Sequence, residues 1–288
     1  MTKQLMDAAV LENKRIAKDI FRLDIDAQEV TKDALAGQFI NVYLNDRSML
    51  LPRPISICLM DKNILTLVYR VVGKGTEILS GYQRGEKIRI SSGLGNGFQV
   101  EEMFLSPGNS SERTYGKEYT IALIGGGLGV PPLLELAKTI RKKIDDNKSR
   151  NIQENGGRQI KLIAVIGFQR EAFLADSFNE FCDRIHLSTE DGRIGTKGNV
   201  MDVIREKDIQ ADYCLACGPK PMLKALASYC MANGVPLQVS MEERMGCGYG
   251  ACVGCVCKTK KAGSGETERK KVCKDGPVFF GNEVVWDE

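Results

Sequence analysis

The segment MGCGYGACVGCVCK, Met245–Lys258, sets four thiols within fourteen residues. Cys247, Cys252 and Cys255 stand in the spacing C-x4-C-x2-C, and Cys273 follows after seventeen further residues. Thiolates are soft metal ligands, and this is the spacing of a plant-type [2Fe–2S] site. Structural zinc usually draws its ligands from two short C-x2–4-C pairs, and Cys273 has no such neighbour. Cys257 falls outside the pattern and reads as a buried spectator. Gly246, Gly248, Gly250 and Gly254 allow the backbone to wrap closely and turn N–H groups toward sulfur, which a negatively charged cluster requires. Between the third and fourth thiols the chain is basic, KTKKAGSGETERKK; its Gly-Ser-Gly suggests the tip of a solvated hairpin, or else a docking face.

Two glycine loops could hold phosphate. IGGGLGVPPLLELA places Gly125, Gly126, Gly127 and Gly129 between an apolar run and an amphipathic one, where N–H groups at a helix start would face a pyrophosphate. CGPKPM, beginning Cys217, Gly218, Pro219, repeats the arrangement further on. Nearer the N-terminus, RPIS offers a fork donor in Arg53, a rigid Pro54, then Ile55 and the Ser56 hydroxyl. VYRVVGKGT, from Val68 and Tyr69 through Arg70 to Gly75 and Thr76, adds a second arginine and a glycine turn. Taken alone, either arginine reads as a surface charge.

These groups need positioning elements. RIAKDIFRLDID, GQFINVYL, ISICLMD, ILTLVYRV and KIRISSGLG are short apolar or alternating runs without intervening helices, which predicts an antiparallel β-barrel over 1–105. The polar linker 106–118 marks the boundary. Over 119–240 strands and helices alternate. YTIALIGGG, IKLIAVIGF, RIHLSTED, ADYCLACGP and a final PLQVSME read as strands. VPPLLELAKTIRKKI, REAFLADSFNEFC, GNVMDVIREK and KPMLKALASYCMANG read as helices. Alternation of this kind makes a parallel-sheet α/β domain. The polar insert 145–159 lengthens one of its loops. Residues 241–288 remain as a small C-terminal module, so the expected class is α+β multidomain.

Lys and Arg number 40 against 37 Asp and Glu, a formal charge of +3 that suggests no nucleic-acid partner. The N-terminus lacks an apolar run of signal-peptide length, and the most apolar stretch, Thr120–Ala137, is interrupted by glycines and Pro131-Pro132. The expectation is a cytoplasmic protein without integral membrane association. In that reducing compartment ten cysteines do not form a disulfide framework. The single histidine, His186, reads as structural, so the chain has no obvious general base for oxidising a carbon substrate.

Together, RPIS, GKGT, GGGLGVPPL and CGPKPM resemble the ferredoxin–NADP reductase superfamily. The tail SMEERMGCGYGACVGCVCKT with VCKDGPVF is similar to that of the electron-transfer subunits of dihydroorotate dehydrogenase B. The resemblance spans essentially the whole chain. It implies an FAD-binding barrel, in which Arg53 meets the FAD pyrophosphate, Ser56 approaches flavin N5 and GKGT forms a second phosphate turn. It implies NAD on the Gly125–Gly129 and Cys217–Pro219 loops, with Cys217 near the nicotinamide, and a [2Fe–2S] cluster on Cys247, Cys252, Cys255 and Cys273. Ile55 stands where many members carry an aromatic that stacks on the flavin, leaving Tyr69 as the candidate for that role. Glu171, after the second strand of the α/β domain, would repel a 2′-phosphate and favours NAD, although Arg170 beside it would not. The implied partner is an FMN-containing dihydroorotate dehydrogenase catalytic subunit in a heterotetramer. Electrons would then run from dihydroorotate through FMN, cluster and FAD to NAD+, as a step of pyrimidine biosynthesis. Two other readings stay open: an NAD(P)H-dependent reductase serving an oxygenase, a sulfite reductase or ferredoxin, and a non-enzymatic binding protein stabilised by zinc.

Overall fold

The alternating apolar runs of the N-terminal part fold as a closed six-stranded antiparallel barrel in a computed structural model that describes residues 4–105, 118–149, 158–261 and 263–286. Most of the polar linker (106–117) and of the polar insert (150–157) lie outside the described residues. The barrel elements are β1 (Leu5–Ala17), β2 (Ile20–Asp26), α1 (Gln28–Thr31), β3 (Phe39–Tyr43), β4 (Arg53–Asp61), β5 (Ile64–Arg70), α2 (Lys74–Ser80) and β6 (Lys87–Ser91). The strand order is β1-β2-β5-β4-β3-β6, closed by pairing of β1 with β6, which leaves no unpaired edge. Leu23, Ile25, Ile40, Ile57, Leu65, Leu67, Ile88 and Ile90 fill its interior.

Two strand boundaries differ from expectation. RIAKDIFRLDID is not one strand: it crosses a hairpin turn at Lys18-Asp19, where Asp19 takes a φ of 58°. Aspartate tolerates that left-handed conformation, so an apolar pattern continues through a reversal of direction. β1 also begins before Arg15, with LMDAAVLENK, whose apolar positions alternate irregularly around a bulge between Val10 and Glu12 and so give no clear strand pattern.

After α3 (Glu102–Leu105) come β7 (Glu118–Gly126), a 3-10 turn at Gly127–Gly129, α4 (Val130–Ser149), β8 (Gln159–Phe168), β9 (Arg184–Thr189), β10 (Thr196–Lys197), α5 (Val200–Glu206), β11 (Tyr213–Cys217), α6 (Lys220–Ala232) and β12 (Leu237–Ser240). These strands form a sheet in the order β10-β9-β8-β7-β11-β12, parallel throughout. Pro131 and Pro132 sit in the first turn of α4, where their missing N–H groups have no intrahelical partner to lose. The helix expected over REAFLADSFNEFC is instead a 3-10 turn, Ala175–Glu180. Leu174 is left-handed at its start, and Phe173 packs edge-on against Phe168 with centroids 5.0 Å apart, so side-chain burial overrides the helical pattern.

The cysteine-rich tail contains β13 (Val256–Lys260), β14 (Thr267–Lys271) and α7 (Val272–Asp275). β13 and β14 form the expected hairpin, with Gly263 and Gly265 at its tip. PLQVSME is not the last strand of the sheet: β15 (Val278–Phe280) returns to become the seventh, beside β12. The chain divides into two compact units, Met1–Gly97 with Met241–Val278, and Phe98–Ser240 with Phe279–Glu288. The module set apart by sequence at 241–288 is thus grouped by its contacts partly with the barrel.

Candidate iron–sulfur, flavin and nucleotide sites

Within the barrel unit, the four cysteines of the ligand pattern meet two by two. The N–H groups of Ala251 and Cys252 lie 3.3 and 3.4 Å from Cys247 Sγ, and Cys247 N–H lies 3.5 Å from Cys252 Sγ. Cys273 N–H lies 3.4 Å from Cys255 Sγ. Cys255 and Cys273 are buried, while Cys252 is exposed. Among the described residues, no three His, Cys, Asp or Glu side chains close on one point as they would around a single ion. A [2Fe–2S] cluster asks for something else, two thiolates on each of two irons.

The electrostatics follow this pairing. Burial raises the Cys247 thiol, but hydrogen bonds from the N–H groups of Tyr249, Cys252 and Ala251 and from the Cys252 thiol outweigh it and bring the thiol down to about 6, toward the ligating thiolate. Cys273 is pushed up to about 12 by burial and by the neighbouring Cys255 sulfur. A bound metal reverses that preference. Cys257, raised to about 11 by burial and by Glu243, faces inward on β13.

Three residues around the loop had not been singled out by sequence. Lys271 Nζ donates to Gly250 O at 2.8 Å, and the Lys274 stem lies against Gly250. From β3, Asn41 Nδ2 donates to Cys247 O at 2.8 Å. The available signal for Asn41 was a polar, weakly β-forming residue inside the apolar run FINVYL.

Arg53–Ser56 begin β4, paired with β3 so that Ile55 faces Ile40, Pro54 faces Asn41 and Ser56 faces Phe39. Ile55 points into the barrel core, which leaves Pro54 and Ser56 on the outer face. Arg53 Nη1 donates to Leu51 O at 2.7 Å, and its guanidinium lies directly over Gly75, where any Cβ would overlap it. The fold thereby joins RPIS to GKGT. The Thr76 hydroxyl accepts from Val72 N at 2.9 Å and from Gly73 N, holding the turn before α2. Arg70 is exposed at the end of β5. Val68 and Tyr69 are buried; Tyr69 stacks on Phe21 at 5.8 Å and donates to Asn13 Oδ1, so its ring is already engaged.

In the α/β unit the two glycine loops end adjacent parallel strands, with Cys217 opposite Gly125. A Cβ on Gly129 would overlap the Cys217 carbonyl, and one on Gly126 would come within 2.7 Å of Met222 Sδ. Gly127, with a φ of 55°, has nothing within 4 Å of an added Cβ and faces open space. Cys217 is buried at the strand end, and Pro219 caps α6. Arg170 and Glu171 are exposed just past β8. His186 lies in the middle of β9, half-buried.

Residues 242–285 match the iron-sulfur cluster binding domain of dihydroorotate dehydrogenase B. A relative from Fusobacterium nucleatum subsp. nucleatum, named dihydroorotate dehydrogenase B (NAD(+)), electron transfer subunit, is 39% identical over 290 residues, covering 98% of each chain. A second of that name, from Geobacillus sp., is 41% identical over 281 residues and covers 96% of each. Among solved structures, an NADH-dependent reduced ferredoxin-NADP oxidoreductase superposes with a TM-score of 0.75 at 26% identity, covering 97% of this chain and 90% of the other.

Proposed function

Because the chain belongs to the family of dihydroorotate dehydrogenase B electron-transfer subunits, we propose that it passes electrons from a catalytic partner subunit, where dihydroorotate is oxidised, to NAD+. It is an oxidoreductase component of pyrimidine biosynthesis that works with FAD, an iron–sulfur cluster of the [2Fe–2S] type, and NAD. The flavin exchanges two electrons with a nicotinamide and single electrons with a cluster, which is why both are required.

The chain's own residues hold these groups. Cys247 with Cys252, and Cys255 with Cys273, supply the four thiolates; the N–H groups of Ala251 and Cys252 favour the charged form of Cys247, and that of Cys273 favours the charged form of Cys255. Arg53 and Arg70 neutralise the FAD pyrophosphate, and the absence of a side chain at Gly75 keeps the Arg53 guanidinium in reach of it. Ser56 orients the flavin from the outer face of β4. Pro54 stiffens that strand, Ile55 and Tyr69 back it from the core, and Val68 lies on the outer face of β5. In the α/β unit, Gly125, Gly126, Gly127 and Gly129 admit the dinucleotide, with Cys217, Gly218 and Pro219 on the adjoining loop. Glu171 favours NAD over NADP by repelling a 2′-phosphate. The functional spans are 1–105 for FAD, 119–240 for NAD and 241–288 for the cluster.

The partner carries FMN and joins this chain in a heterotetramer. Among the described residues no helix is long and apolar enough to cross a membrane. The ten free cysteines suit a reducing cytoplasm.

The observation that carries this reading is the pairwise meeting of four cysteines, drawn from a loop, a strand start and a helix, under N–H donors. Its test is an anaerobic visible spectrum of the purified protein before and after NADH. Flavin bands and a broad iron–sulfur shoulder, both bleached by NADH, are expected, together with co-purification of an FMN protein. A colourless protein that binds stoichiometric zinc and cannot be reconstituted with iron and flavin would overturn the reading.

A further inference from the structure

We propose that Asn41 is a positioning residue of the iron–sulfur site, its buried amide tying the Cys247–Gly248 peptide to the strand pair that carries RPIS. The inference rests on the reading of Cys247 as a cluster ligand. Asn41 is fully buried, and its side chain donates to Cys247 O at 2.8 Å across 206 residues of sequence. A carbonyl oxygen can only accept, so this bond fixes which end of the amide faces Cys247. Among the described residues the other end, Oδ1, has no donor. A buried polar group left half-satisfied is costly in an apolar strand and is kept only where its position matters.

Gly248 gives the second, independent observation. Its φ is 77°, and a Cβ there would lie 2.6 Å from both Nδ2 and Oδ1 of Asn41. Amide and loop therefore approach as closely as two groups can, and only glycine permits it. On the barrel side Asn41 is anchored twice: its N–H donates to Ser91 Oγ at 2.9 Å, and it lies opposite Pro54 in the β3–β4 register, two residues from the position facing Ser56. The hydrogen-bonded end of the amide presents positive charge to a ligand residue. It favours the more negative, reduced cluster and makes that cluster easier to reduce.

The test is an anaerobic redox titration followed by electron paramagnetic resonance of the reduced cluster, on wild type, Asn41→Leu and Asn41→Asp. Aspartate keeps the size and shape of asparagine and replaces the donor by a charge; leucine keeps the branching at Cγ, is bulkier, and removes the amide. At a fixed poise the reduced-to-oxidised ratio should fall roughly two- to tenfold in Asn41→Leu, the range one neutral hydrogen bond supports, and further in Asn41→Asp. The g-values of the reduced cluster should shift in both, while flavin content stays at the wild-type level. If Asn41→Leu does not fold, Asn41→Ser, whose hydroxyl is too short to reach Cys247, reads the same quantity. Wild-type potential and g-values in a variant that retains its cluster would overturn the proposal and reduce Asn41 to packing. Absence of any cluster signal in the wild type would instead overturn the ligand reading beneath it.

Discussion

Replacing Gly129 by alanine tests whether the two glycine loops act as one nucleotide cradle. A Cβ at this position overlaps the carbonyl of Cys217, and the obstacle is backbone held in register with Gly125, so no rotamer change relieves it. Restoring an ordinary contact requires the loops to part by about 1 Å. Forced overpacking of this kind costs about 1–3 kcal/mol. Each kcal/mol lowers Tm by about 2–4 °C in a chain of this size, so Gly129→Ala should melt about 2–12 °C below wild type. The displacement also spreads the residues proposed to hold NAD. The KM for NADH should rise roughly tenfold, corresponding to about 1.4 kcal/mol of lost binding, with flavin and iron content unchanged. Gly127→Ala is the control, since its added Cβ meets nothing within 4 Å and pays only the left-handed penalty of about 1–2 kcal/mol. Calorimetry and NADH oxidation with ferricyanide as acceptor measure both quantities. If Gly129→Ala melts no lower than Gly127→Ala and keeps the wild-type KM, the loops do not constrain one another as argued.

Cys273→Ser should lose or destabilise the cluster while Cys257→Ser leaves it largely intact, as read by iron and acid-labile sulfide; equal iron in wild type and Cys273→Ser would remove Cys273 from the ligand set. Arg53→Ala should weaken FAD retention roughly tenfold or more, the worth of a charge-assisted hydrogen bond; unchanged flavin content after gel filtration would reject its phosphate role. His186 is held below its ordinary value of 6.5 by burial and by the charges of Arg184 and Lys207. Its contribution to stability is therefore complete above about pH 6.5 and is lost as the pH falls through the depressed folded-state value. Between about pH 7 and pH 5 the wild type should lose more Tm than His186→Gln, and parallel curves would show that the histidine contributes nothing to acid sensitivity.

Local chemistry was legible in the sequence wherever the residues concerned are close along the chain. Cys247, Cys252 and Cys255 lie within one loop and strand start, so their spacing alone constrains what can bind them. Alternating and helical runs likewise announced a barrel followed by a parallel sheet, because side-chain periodicity is a property of the segment itself. The hairpin at Asp19 and the 3-10 turn at Ala175–Glu180 were hidden for the opposite reason: a left-handed residue and the burial of an aromatic pair decided them against the local pattern. Only the tertiary structure could bring Gly129 onto Cys217, lay Arg53 over Gly75 and return β15 to the sheet beyond the cysteines. Only the tertiary structure could place Asn41 under Cys247, since that contact depends on a barrel strand and a loop 206 residues later being packed into one unit. Composition and spacing specify which groups a chain offers, whereas the exclusion of water and the close approach of distant backbone specify which of them meet.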